Sequence, residues 1–125
     1  RRILEICRPI EYLYGCAVAE INLGHVLLDG RQDREALEVL RSAERSIRRI
    51  GTLDSLPEAL RLLAIALMRC GDPQGARRAA TEAIELARRM ANDTMVAAVE
   101  PVLTEAMTQV QSLSATTFAD DSSTS

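Results

Sequence analysis

The chain has no tryptophan, one phenylalanine and two tyrosines among its 125 residues. An aromatic core is therefore excluded, and the interior must be built from Leu, Ile, Val, Ala and Met. Ala and Leu are strong helix formers, so the shortage of aromatics already tilts the fold toward helices. Lysine is also missing: all fifteen basic residues are arginine, a bias that a GC-rich bacterial genome produces. The net charge of −3 excludes the overall basic footprint of a nucleic-acid binder.

Histidine occurs once, as His25, and cysteine three times, as Cys7, Cys16 and Cys70. The cysteines are odd in number and lack metal-ligand spacing. Each sits in an apolar helical pattern and is expected as a buried, reduced thiol of a cytoplasmic protein. A glycine-rich phosphate loop, a Ser-His-Asp order and a His-Glu-x-x-His run are all lacking. His25 has only Asp29, four residues on, as a neighbour at helical spacing, which fits a surface pair and not a catalytic or metal site. The expectation is a protein without catalysis, cofactor or metal. No apolar run approaches the roughly 20 residues that cross a bilayer, and no signal peptide is visible.

What is present is 47% hydrophobic and 26% charged residues, in a helical rhythm. Pro9 offers a first-turn start, and the helix that follows, to Leu28, is apolar nearly all round and so packs on several sides. "DGRQD" (29–33) breaks it, and Asp33 is a candidate cap. Ala36, Leu37, Leu40, Ala43, Ile47 and Ile50 form one stripe of a second helix, ended by Gly51. Ser55 and Glu58 have capping-box spacing around Pro57. A third helix then runs to Gly71, and Asp72-Pro73 opens a fourth that reaches Met90. Asn92 or Asp93 caps a fifth, in which Pro101 should kink or restart the helix. The final "SATTFADDSSTS" (114–125) is small, polar and aperiodic, and reads as a disordered tail.

Two of these stretches match at an offset of forty: "GRQDREALEVLRSAERSIRRI" (30–50) and "CGDPQGARRAATEAIELARRM" (70–90). Gly24 falls on Ala64, Leu27 on Leu67, Ala36 on Ala76 and Ala43 on Ala83. Close helix crossings need small side chains at the contact. At these residues the sequence resembles the tetratricopeptide repeat (TPR) family, whose pattern runs Leu-Gly, a large residue, Ala, a large apolar residue and Ala. It stands here as Leu23-Gly24, Leu27, Ala36, Leu40 and Ala43, then as Leu63-Ala64, Leu67, Ala76, Ala80 and Ala83. "GDPQGA" (71–76) looks like the family's turn between paired helices. The family's aromatics are replaced by Leu and Ala, and the period is forty instead of about 34, with the extra residues in the connection 50–57. Longer repeats of this kind look like those of large bacterial ATP-binding transcription activators and related signalling proteins.

The resemblance covers about Gly15 to Val110. It implies an all-α fold: antiparallel helix pairs stacked as a TPR-like α-solenoid, a right-handed superhelix of about five helices. Repeats would lie near 15–54 and 55–94, with a capping helix over 93–113. Residues 1–8 would be the tail of a preceding second helix, since Arg8 falls on Arg48 and Ile10 on Ile50. The chain would then be the C-terminal part of a longer solenoid.

In such a family the first helix of each pair lines a concave binding face. Carried onto this chain, that face comprises Ile21, Asn22, His25 and Leu28, then Arg61, Ile65, Met68 and Arg69. Members that clamp a peptide carboxylate use Lys and Asn at matched sites, where this chain has Ile21, His25, Arg61 and Ile65, so that mode is not implied. A mostly apolar face with a few arginines suits an amphipathic helix in a groove. The same apolar residues could instead be core, covered by a neighbouring helix or by a second copy of the chain. Arg34, Arg41, Arg45 and Arg48, interleaved with Glu35, Glu38 and Glu44, read as a solvated face of ion pairs. The expected function is a protein–protein interaction scaffold or sensor module of a larger bacterial regulatory protein, its partner a protein or peptide and neither nucleic acid nor membrane. The alternatives are an effector-binding regulatory domain that responds to a small molecule and a homodimerisation module.

Overall fold

The computed structural model describes residues 10–51 and 53–124, with side-chain detail over 12–51 and 53–113. Five helices follow one another: α1 Ile10–Asp29, α2 Asp33–Ile50, α3 Leu56–Arg69, α4 Pro73–Arg89 and α5 Asp93–Thr124. Among the described residues there is no strand, and the all-α stack of helix pairs expected from the repeat is the observed architecture. Residues 1–8, expected as the tail of an earlier helix, lie outside the described residues.

The turns explain why each helix stops where it does. Arg31, Gly71 and Ala91 all adopt the left-handed conformation, with φ of 62°, 90° and 53°. In each turn that residue's N–H bonds a carbonyl three residues back, from Leu28, Met68 or Arg88. The next residue, Gln32, Asp72 or Asn92, donates to Leu27, Leu67 or Ala87, each at 2.8 Å. This is the Schellman closure, which satisfies carbonyls that a helix end leaves free. Gly51, at φ 85°, ends α2 in the same left-handed region, its N–H on the Ile47 carbonyl.

The helix starts differ from the sequence reading in two places. Asp72 Oδ1 accepts from Gly75 N–H at 2.9 Å and Asn92 Oδ1 from Met95 N–H at 3.1 Å, so both expected caps form. Asp33, however, is the first residue of α2, and the residue before it is Gln32, which makes no side-chain cap bond. The capping box at Ser55 and Glu58 is not made either. Ser55 Oγ lies 2.6 Å from Tyr14 Oη, and the Glu58 carboxylate is held bidentately by Arg61. A distant tyrosine has taken Ser55, and an arginine one turn on in the same helix has taken Glu58.

The core is a ladder of alanines and branched aliphatics. Ala36, Leu40, Ala43 and Ile47 of α2 are fully buried, as are Ala59, Ala64 and Ala66 of α3 and Ala76, Ala80, Ala83 and Ala87 of α4. Leu40, Ile47, Leu56, Leu60 and Leu62 are the bulkiest buried aliphatics, each contributing about 1.5–3 kcal/mol by leaving water. Small residues let the helices approach. A Cβ built on Gly24 would stand only 2.5 Å from Leu40 Cδ2. α1 and α2 therefore cross where only glycine fits.

Each helix packs on the one before it, and the first helices also touch across pairs: α1 meets α3, and α3 meets α5. Between α2 and α4 no such backbone approach occurs. A stack whose first helices are closer together than its second helices bends toward the first helices. α1, α3 and α5 thus line the inner side of the curve.

Candidate functional site: a groove along the first helices

The inner side holds an open trough of about 400 Å³ between α3 and α5. Ile65, Met68 and Arg69 line it from α3, and Pro101, Val102, Glu105 and Gln109 from α5. Ile65, Met68 and Val102 are half-buried hydrophobics packed against the core. They give an apolar surface flanked by a guanidinium, a carboxylate and a carboxamide. Apolar surface next to a few polar groups is the composition that accepts an amphipathic segment.

Apart from Arg61, which does not line the trough, the candidate residues named from sequence divide into three groups. Ile65, Met68 and Arg69 come together in this trough. Ile21 and Leu28 are only 5% and 4% exposed. They belong to the core under α2, so the sequence reading of them as a binding surface is corrected to packing. Asn22 and His25 are exposed on α1, away from the trough's lining. The expected His25–Asp29 pair is not formed among the described residues. Two exposed side chains on one helix gain little by pairing in water.

Arg61 and Arg69 are both engaged. Arg61 donates through Nε and Nη2 to the two oxygens of Glu58, at 2.9 and 2.8 Å. The hydrogen bonds to Glu58 raise the Arg61 pKa above its ordinary value, against the lowering effect of burial. Arg69 Nη1 donates to the Leu28 carbonyl at 2.9 Å and reaches Asp33 Oδ1 at 3.4 Å. It thereby stitches the end of α3 to the α1–α2 turn, and the same side chain borders the trough. Its first role is structural: it is a second donor, beside the Arg31 N–H, to the carbonyl that ends α1.

The α5 half of the trough was not named from sequence, although the repeat contains it. The forty-residue step carries Arg61, Leu62, Ile65 and Arg69 onto Pro101, Val102, Glu105 and Gln109. The sequence reading placed the binding face on the first helices of two repeats and took 93–113 as a capping helix, so its side of the trough was not named.

The other side-chain expectations resolve as follows. Arg34, Arg41 and Arg45 are exposed, and Arg48 pairs with Glu44 and with Glu82 of α4, both at 2.8 Å. Cys16 is exposed and Cys70 half-buried, both as free thiols. The expectation of buried thiols is corrected for Cys16, which is exposed on α1. Cys7 lies outside the described residues. Among the described residues, no group of three His, Cys, Asp or Glu could hold a metal ion. No helix there is long and apolar enough to cross a membrane.

Compared with protein-family models, with curated proteins and with solved structures, the chain gives no match in any of the three. The resemblance to tetratricopeptide repeats rests on the forty-residue pattern itself.

Proposed function

We propose that this chain is a non-catalytic interaction module that seats an amphipathic helical segment of a partner protein in the trough between α3 and α5. The observation that carries this reading is the pairing of apolar surface from Ile65, Met68 and Val102 with flanking Arg69, Glu105 and Gln109. The trough is open to solvent, as access for a peptide chain requires. Its rim mixes charges of both signs, so an occupant with alternating charge beside its apolar stripe fits best. A cytoplasmic setting, and a place in a larger bacterial regulatory protein, accompany this reading as part of the same proposal.

The test is selection from a displayed library of amphipathic helical peptides. Binders selected on the wild-type chain should lose at least tenfold in affinity on Val102→Asp. They should be unaffected by Arg78→Glu on the exposed side of α4. A library that yields no binder, or binders indifferent to Val102→Asp, would remove the proposal. The second reading, a small-molecule effector, is favoured by one observation: about 400 Å³ falls within the range of ligand pockets. A thermal-shift screen with small organic acids and amines separates the two, because only the effector reading requires a hit whose shift disappears with Gln109→Ala.

A further inference from the structure

Charge is sorted between the two sets of helices. The second helices, α2 and α4, carry nine arginines against six carboxylates. The first helices, α1, α3 and α5, carry two arginines against nine carboxylates. The second helices are thus net basic, and the first helices, on the inner side of the curve, are net acidic.

The two arginines of the first helices are already met within the chain. Arg61 is held bidentately by Glu58 of its own helix. Arg69 bonds the Leu28 carbonyl and pairs with Asp33. The carboxylate that lines the trough stands differently. Glu105 is exposed, and it makes no hydrogen bond or ion pair among the described residues.

A second acceptor lies on the same wall. Pro101 lines the trough from within the continuous α5. It has no N–H, so the Ala97 carbonyl one turn back loses its helical donor. Ala97, Pro101, Glu105 and Gln109 follow one another at four-residue steps and so share one face of the helix. Forty residues earlier the same positions of α3 are Pro57, Arg61, Ile65 and Arg69. The repeat has exchanged both cations of the α3 wall for neutral residues on α5, and an isoleucine for a free carboxylate.

We infer that the segment seated in the trough is a basic amphipathic helix, with its lysine or arginine side chains on the edge that faces α5. The inference rests on the trough reading above and narrows it. The apolar stripe of the occupant covers Ile65, Met68 and Val102. Its cations reach Glu105 and the Ala97 carbonyl, and any acidic residue belongs on the opposite edge, beside Arg69. The reverse arrangement would bring a carboxylate against Glu105, and like charges facing each other cost affinity. The acidic first helices also steer a basic segment toward the trough, and the arginine-rich second helices turn it away from the outer side.

The test is a pair of displayed libraries of helical peptides that share one apolar stripe. One edge of the stripe carries lysine and arginine in the first library, and aspartate and glutamate in the second. Selected on the full chain, the basic library should give the tighter binders. Glu105→Lys should weaken them about tenfold at low salt, as attraction becomes repulsion. The difference should largely vanish near roughly 1 M salt. Glu100→Lys makes the same change in net charge on the side of α5 that borders α4, and should leave binding within about twofold. Both glutamates are exposed, so each variant should keep the wild-type circular dichroism. Binders that come from the acidic library, or that ignore Glu105→Lys, yet are lost on Val102→Asp, overturn this inference and leave the trough as a helix site. Equal losses on Glu105→Lys and Glu100→Lys also overturn it, because net charge alone then accounts for both. Failure of both libraries removes the trough reading and this inference together.

Discussion

Gly24 shows how tightly single positions are held. Its missing Cβ is the space that Leu40 fills, with the leucine fully buried. Gly24→Ala must push Leu40 out of its rotamer or spread α1 from α2, a form of overpacking that costs roughly 1–3 kcal/mol. Urea unfolding should show the midpoint falling with the slope unchanged. A stability equal to wild type would mean that the helices are not in close contact there. This position was legible in sequence because Gly24 aligned with Ala64, and two small residues in one register imply a crossing. Ser55 was misread for the opposite reason. Its capping spacing was local, and a tyrosine forty-one residues away in sequence took the hydroxyl. Sequence rules for caps hold where no distant partner competes, as at Asp72 and Asn92.

At the scale of helices, α5 departs most from its sequence reading. A stop was expected after residue 113, yet the helix extends to Thr124. No glycine or proline follows Pro101, so nothing in that stretch actively ends a helix, and polar composition alone is a weaker signal than a breaker. Pro101 itself sits within the continuous helix and borders the trough. The second helices illustrate a contact that periodicity could not reveal. Arg48 of α2 reaches Glu82 of α4 at 2.8 Å, across the side of the stack where the helix backbones stand apart. The hydrogen bond to Glu82 raises the Arg48 pKa above its ordinary, already alkaline value. This raised folded-state pKa gives a contribution lost only as pH climbs through that range, far above neutrality. Salt is the more useful variable. Both side chains are about 40% exposed, at 41% and 39%, so Glu82→Gln should cost no more than about 1 kcal/mol at low ionic strength. The difference from wild type should vanish near 1 M salt, where screening acts over roughly 3 Å. A loss that persists at high salt would point to packing at Glu82 and not charge.

Across the whole molecule, α3 occupies the middle. It packs on α2 and α4 and also meets α1 and α5, and its buried residues lie on nearly every side. In a stack where each element depends on its neighbours, stability is greatest at the centre and falls toward the ends. Native-state hydrogen exchange should therefore be slowest in α3, with Leu60 to Leu67 approaching the global unfolding free energy. It should be fastest in the first turns of α1 and beyond residue 113 of α5. Uniform protection across all five helices would show that the stack unfolds as a single unit. The architecture at this scale was the most legible part of the sequence, because a stripe repeated every forty residues constrains every helix pair at once. The trough was legible only in its α3 half, since the helix that forms its other wall was read as a cap and not as a third lining helix.

The left-handed joints at residues 31, 51, 71 and 91 stand twenty positions apart, although the intervening helices and connection differ in length. Backbone geometry is thus reproduced at half the period at which side chains match. A change in helix length that kept this spacing would leave the joints in phase, whereas a one-residue insertion would rotate every later helix by about 100° about its axis. The chain therefore behaves like a printed line with fixed indents. Evolution can rewrite the words between the indents or add whole lines, but single-letter insertions inside a line are the edits it can least tolerate.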